Sequence, residues 1–132
     1  MKNFGLSKSE RIKKARDFKK IYLEGKVIFS GDGKLKVTFL IGACKDNSIV
    51  KVSAAVSKKT GKAVWRNRLK RLIKESYRLN KHELIEACSG KKVSLDLIFT
   101  PIGFSRSEDK KVKLAEFLPA MLDILNKVKS CL

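Results

Sequence analysis

The stretch VKVSAAVSKKTGKAVWRNRLKRLIKE, residues 50–75, reads as a strand that leaves through a glycine-bearing turn into a helix. From Val50 to Ser57 the side chains alternate. Val50, Val52, Ala54 and Val56 make an apolar face, and Lys51, Ser53, Ala55 and Ser57 a face of small or polar groups. The small residues leave that second face open, so a chain can lie against it. Lys58 to Gly61 leads out of the strand, Thr60 is a candidate cap, and the helix runs roughly from Lys62 to Lys81. At about 100° per residue, Trp65, Leu69, Leu72, Ile73 and Leu79 gather on one side, and Asn67, Lys70, Arg71, Lys74 and Arg78 on the other. Arg66 and Arg68 fall toward opposite borders.

Working outward, Asp17 to Glu24 reads as a short helix ending at Gly25, a residue suited to a left-handed C-terminal position. Phe18 and Tyr22, four apart, share one of its faces. A possible capping box, Ser7 to Glu10, precedes it. Leu35 to Ile41 alternates as a strand, with Leu35, Val37 and Phe39 on one side and Lys36 and Thr38 on the other. Lys45-Asp46-Asn47-Ser48 is turn chemistry, so this strand and Val50–Ser57 are expected to pair as an antiparallel hairpin. Ser89-Gly90 is expected to end the helical region. Val93 to Thr100 is a further strand, stopped by Pro101, and strand–helix–strand implies a crossover and a parallel pair. Val112 to Val128 closes the chain as an amphipathic helix, with Leu114, Phe117, Leu118, Met121, Leu122, Leu125 and Val128 at helical spacing; Pro119 predicts a kink or a late start. The expected fold is α+β, a single domain over residues 1–132, an α/β sandwich with a mixed sheet of about four strands, three helices and a βαβ crossover.

The 132 residues carry 31 Lys and Arg against 13 Asp and Glu, a net charge of +18. Residues 1–78 hold 22 basic and 6 acidic side chains, and residues 79–132 hold 9 and 7. A surface that is basic only for solubility does not need this asymmetry; a binding face built from the first part of the chain produces it. Such charge opposes compaction and calls for a polyanion. Nucleic acid is the first candidate, an anionic membrane surface the second, and a merely solvated basic surface the third. On the 62–81 helix only Glu75 interrupts the positive charge, so like charges repel at spacings where Glu–Lys pairs usually help. Phosphates on that face would offset the repulsion: arginine offers a fork, lysine a point charge, and Asn67 both donates and accepts.

Cys44, Cys88 and Cys131 lie far apart with no Cys-x-x-Cys or Cys/His cluster, so no zinc site is expected, and free, mostly buried thiols are. The lone His82 reads as a surface or helix-end residue. No catalytic constellation emerges: Asp17, Glu24, Asp32, Asp46 and Glu75 form no metal motif. No apolar run is long enough to cross a membrane, and the first residues lack the apolar stretch of a secretory signal, so a cytoplasmic protein is expected.

Residues 56–75, from Val56-Ser57-Lys58-Lys59-Thr60-Gly61-Lys62 through Arg66-Asn67-Arg68-Leu69-Lys70-Arg71 to Lys74-Glu75, closely resemble the signature of the ribonuclease P protein component. Asp17-Phe18, Ile21-Tyr22 and Gly25 match the family too. The resemblance implies a non-catalytic protein subunit, one copy per catalytic RNA. That RNA removes the 5′ leader from precursor tRNA with Mg²⁺, which it holds mainly itself. It implies that Arg66, Asn67, Arg68, Lys70, Arg71 and Lys74, with Arg78 on the same helix face, meet RNA. It places Phe18, Tyr22, Ala55, Lys58 and Lys59 in a leader cleft between the first helix and the sheet; Ser53, Ser57 and Lys62 are assigned there beside them. It also implies a left-handed crossover, against the general right-handed rule. Two positions depart from the family. Where a basic residue is expected after the third long strand the segment reads Phe99-Thr100-Pro101-Ile102-Gly103, so that contact is either absent or replaced by Arg106. An aromatic expected on the first long strand has no clear counterpart, Phe39 being one candidate. Against this stand two rivals, a general RNA-binding module such as a small ribosomal protein and a stand-alone nuclease.

Overall fold

A computed structural model describes residues 12, 15–31, 33–43, 50–58, 61–102 and 114–132. The possible capping box at 7–10, the turn residues 45–48, Cys44, Lys59, Thr60 and Arg106 lie outside the described residues. The described residues form helices α1 (Ala15–Glu24), α2 (Ala63–Asn80), α3 (His82–Lys91) and α4 (Leu114–Cys131), and strands β1 (Lys26–Phe29), β2 (Leu35–Ala43), β3 (Val50–Ala54) and β4 (Val93–Pro101).

The strands make one mixed sheet in the order β1-β2-β4-β3. The β3–α2–β4 crossover gives the expected parallel pair, Val50 opposite Leu95 through Ala54 opposite Phe99. The expected hairpin of the second and third strands does not form. β4 inserts between them, antiparallel to β2 over its whole length, from Leu35 opposite Pro101 to Ala43 opposite Val93. The reason lies in burial. Leu95, Leu97, Ile98 and Phe99 are all within 1% of fully buried, a pattern that belongs in the middle of a sheet and not at its edge.

One face of the sheet carries the main core. Leu35, Val37 and Phe39 of β2, Val50, Val52 and Ala54 of β3, and Leu95, Leu97 and Phe99 of β4 meet Trp65, Leu69, Ile73 and Tyr77 of α2, Leu84 and Cys88 of α3, and Phe117, Met121, Ile124 and Val128 of α4. The Tyr77 and Phe99 rings lie 5.8 Å apart and tilted. On the opposite face α1 is the one helix among the described residues that covers the sheet, packing Ile21 and half-buried Phe18 against Ile98, Leu40, Ala55 and Ile12. Ile12 lies along the outer edge of β3, its N–H donating to the Val52 carbonyl at 3.1 Å.

Among the described residues there are four helices where three were expected. The helix expected over Lys62 to Lys81 is α2; the additional helix is α3, which follows it directly and runs beyond Ser89-Gly90 to a left-handed cap at Lys92 (φ 55°). Within α2 the core face includes Tyr77 and Ser76, while Leu79 at the helix end is exposed. α4 runs through Pro119, and Leu122, expected in the core, faces solvent. β1 is a strand that alternation did not reveal. It pairs with β2 through a turn in which Gly33 (φ 74°) donates to the Ser30 carbonyl and Gly31 donates to Asp123 of α4. Cys88 is buried, as expected of the thiols, but Cys131 is exposed.

Gly25 is not left-handed, contrary to expectation. It is needed for closeness instead: a Cβ there would stand 2.4 Å from the Ile21 carbonyl oxygen and 2.6 Å from that of Phe39, both backbone atoms. Gly25→Ala should therefore cost roughly 2 kcal/mol, an overpacking penalty, measured by denaturant unfolding. Burial pushes the Cys88 thiol up to about 11. At pH 8 a thiol reagent should modify Cys131 in the native protein and Cys88 only after denaturation.

Candidate nucleic-acid interface

The start of α2 is set by backbone geometry. Gly61 (φ 150°) lies so close over Trp65 that a Cβ would meet the indole Cδ1 at 2.9 Å. Trp65 is 5% exposed and belongs to the core, so the turn is clamped to it. Lys62 holds the N-cap position in extended conformation with no side-chain cap bond. The Arg66 Nε donates to the Gly61 carbonyl at 3.1 Å, which ties the arginine to the turn.

Beyond this point the helical wheel is realised. Asn67, Arg71 and Lys74 are exposed, and Arg66, Arg68 and Lys70 are half-buried along the borders where α2 meets its neighbours. The arginines thus flank an exposed basic ridge, as their phases predict. Arg78 differs from its companions. It makes a two-pronged ion pair with Glu75, Nε to Oε2 at 3.0 Å and Nη2 to Oε1. The hydrogen bond from Arg78 holds the Glu75 carboxyl below its usual range, and the pair raises Arg78 in turn. Glu75 thus cancels one charge on the ridge.

A second surface lies on the far side of the sheet. The strand register sets its rows. Thr38 stands opposite Ile98, and Ile98 opposite Ser53; Lys36 stands opposite Thr100, and the Ala55 N–H donates to the Phe99 carbonyl. α1 crosses this face with Ile21 pointing down. One flank carries Lys20 and Glu24, which line a polar hollow with Leu40, Gly42, Ser94 and Asp96. Burial pushes the Asp96 carboxyl up, opposed by Lys51 and Lys20 and reinforced by Asp17. The other flank carries Phe18, half-buried, and Tyr22, 51% exposed, whose hydroxyl burial pushes up. Exposed Ser57, Lys58 and Lys62 lie on the connection to α2, while Phe18, Tyr22, Ser53 and Ala55 lie on this second surface: Phe18 and Ala55 pack against the Ile21 and Ile98 cluster, Ser53 stands in the Ile98 row, and Tyr22 is exposed on α1. Phe39 is not part of it: the side chain is 1% exposed in the main core, because alternation puts it with Leu35 and Val37. Among the described residues no three His, Cys, Asp or Glu side chains are grouped to hold a metal ion, and no helix is long and apolar enough to cross a membrane. His82 is exposed at the start of α3.

If Arg78 faces RNA, releasing it should matter. Glu75→Gln should tighten RNA binding and steepen its salt dependence by up to about 0.9 in log–log slope. Affinities measured across a salt series check this, and an unchanged slope would place Arg78 outside the contact.

Comparison with known proteins adds to this geometry. The family model described as Ribonuclease P matches residues 6–124. The ribonuclease P protein component of Clostridium novyi is 38% identical over 111 residues, covering 84% of this chain and 88% of that protein. That of Clostridioides difficile is 42% identical over 93 residues, 70% and 72% of the two chains. Among solved structures, the RNase P protein of Thermotoga maritima superposes with a TM-score of 0.69 at 28% identity, covering 89% of this chain and 96% of that one. The Staphylococcus aureus protein gives 0.63 at 25%, covering 91% and 95%.

Proposed function

Because the chain belongs to the ribonuclease P protein family, we propose that it is the protein subunit of a ribonucleoprotein that removes the 5′ leader of precursor tRNA, and that it uses two surfaces for two RNA segments. The observation that carries this reading is the α2 ridge, in which Asn67, Arg71 and Lys74 are exposed while the opposite side of the same helix is core. A helix so charged on one side offsets its self-repulsion when phosphates lie along it, and the catalytic RNA supplies them. The ridge, with Arg66, Arg68 and Lys70 at its borders, positions that RNA by its backbone.

The α1–sheet cleft takes the leader. Phe18 and Tyr22 offer aromatic faces on which unpaired bases stack without regard to sequence. The small side chains of Ser53 and Ala55 admit the strand beside them, and Ser57, Lys58, Lys59 and Lys62 meet its phosphates. Mg²⁺ supplies the hydrolytic chemistry on the RNA. The protein's part is to lower the repulsion between two polyanions, so that less Mg²⁺ is needed for them to associate. The reading puts one protein copy on each RNA, in the cytoplasm.

Reconstitution with a bacterial ribonuclease P RNA tests this. The protein alone should cleave nothing, and with the RNA it should promote precursor-tRNA cleavage at low Mg²⁺. Failure to stimulate, together with co-purification on ribosomes, would favour a general RNA-binding role. Phe18→Ala should weaken binding of leader-bearing substrate by roughly 5-fold or more, the loss of one stacked base, with little effect on mature tRNA. Equal loss for both would remove Phe18 from the cleft.

A further inference from the structure

The open face of the sheet continues past the α1 cleft to its β1 edge. Val27 stands opposite Thr38, in the row that runs on to Ile98 and Ser53. Phe29 stands opposite Lys36, in the row that runs on to Thr100. Directly opposed residues on antiparallel strands share a face. Val27, Phe29 and Lys36 therefore project on the same side as Phe18 and Tyr22, away from the main core. Val27 is 50% exposed and Phe29 53%, close to the 51% of Tyr22. The result is an apolar and aromatic patch with a lysine in it, on the same face of the sheet as the aromatic side chains of α1.

We propose that β1 is part of the leader track: Phe29 stacks on a base of the single-stranded 5′ leader, and Lys36 meets a neighbouring phosphate. This rests on the reading of the α1 cleft as the leader site and lengthens it across the sheet. Charge argues for RNA as the occupant. The described acids around α1, namely Asp17, Glu24 and Asp96, belong to its opposite flank. A second copy of the chain is the poorer fit. Each copy carries +18, β1 has only 4 residues, and the Phe29 carbonyl already accepts a hydrogen bond from Lys127 Nζ at 3.0 Å. Because Phe29 is half exposed, it can be truncated without opening the core.

The test uses holoenzyme reconstituted with ribonuclease P RNA and a series of precursor tRNAs whose leaders lengthen one nucleotide at a time. Phe29→Ala should leave the shortest leaders bound as before and weaken longer ones by roughly 5-fold or more, once they reach across the sheet. Phe29→Tyr should restore binding, since the ring is kept, and Phe29→Leu should not. Equal affinity for Phe29→Ala and the unaltered protein at every leader length overturns the proposal. So does a dimer of the free protein that Phe29→Ala abolishes, which would assign the patch to self-association. Phe18→Ala separates the two readings: if it weakens leader binding and Phe29→Ala does not, the cleft stands and only its β1 extension falls; if neither acts, the cleft reading falls as well.

Discussion

Leu95, Leu97 and Phe99 of β4 must leave water on one side of the sheet, and Ile98 on the other. Both faces of this central strand therefore need cover. On one side α2, α3 and α4 provide it, and the strand order β1-β2-β4-β3 follows, because the crossover from β3 carries α2 over that face before the chain returns as β4. On the other side the only helical cover among the described residues is α1, a single helix of 10 residues. It buries Ile98 and Leu40 but is too narrow to roof four strands. Among the described residues part of this face is covered by no helix, so the same burial requirement that builds the core also sets which part of the sheet α1 covers.

α2 is held to a double task by its phase. Trp65, Leu69, Ile73 and Tyr77 commit one side to the core, and the charges at Asn67 to Lys74 gain nothing from burial, so they are left in a line. Their mutual repulsion weakens the isolated helix. Core packing holds the helix in place regardless, clamped at its start by Gly61 over Trp65. The connection between β3 and α2 carries Ser57, Lys58 and Lys62, all exposed, next to the start of the ridge.

Alternation in Leu35–Ile41, Val50–Ser57 and Val93–Thr100 was enough to read three strands, and helical phase was enough to read the ridge with its two flanking arginines. Pairing partners were not legible, because turn chemistry at 45–48 is local whereas the insertion of β4 between β2 and β3 is decided by which strand must be buried on both faces. β1 escaped notice since four residues reading Lys-Val-Ile-Phe show too little period, and its support comes from Asp123 and Lys127, far along the chain. The end of α2 at Lys81 was legible, but α3 as a helix of its own was not, since no Gly or Pro separates the two. Phe39 shows the opposite case: its alternation with Leu35 and Val37 already pointed to the core, and the structure agrees with the alternation.

That the two surfaces take two different RNA segments is most directly tested by photo-crosslinking from single cysteines placed at Tyr22 and at Lys74, both exposed, in a chain whose Cys44 and Cys131 are replaced by serine. In holoenzyme bound to precursor tRNA, the probe at Tyr22→Cys should crosslink to the leader and the probe at Lys74→Cys to the catalytic RNA. Both probes reaching the same RNA segment would contradict the assignment of two faces to two RNAs.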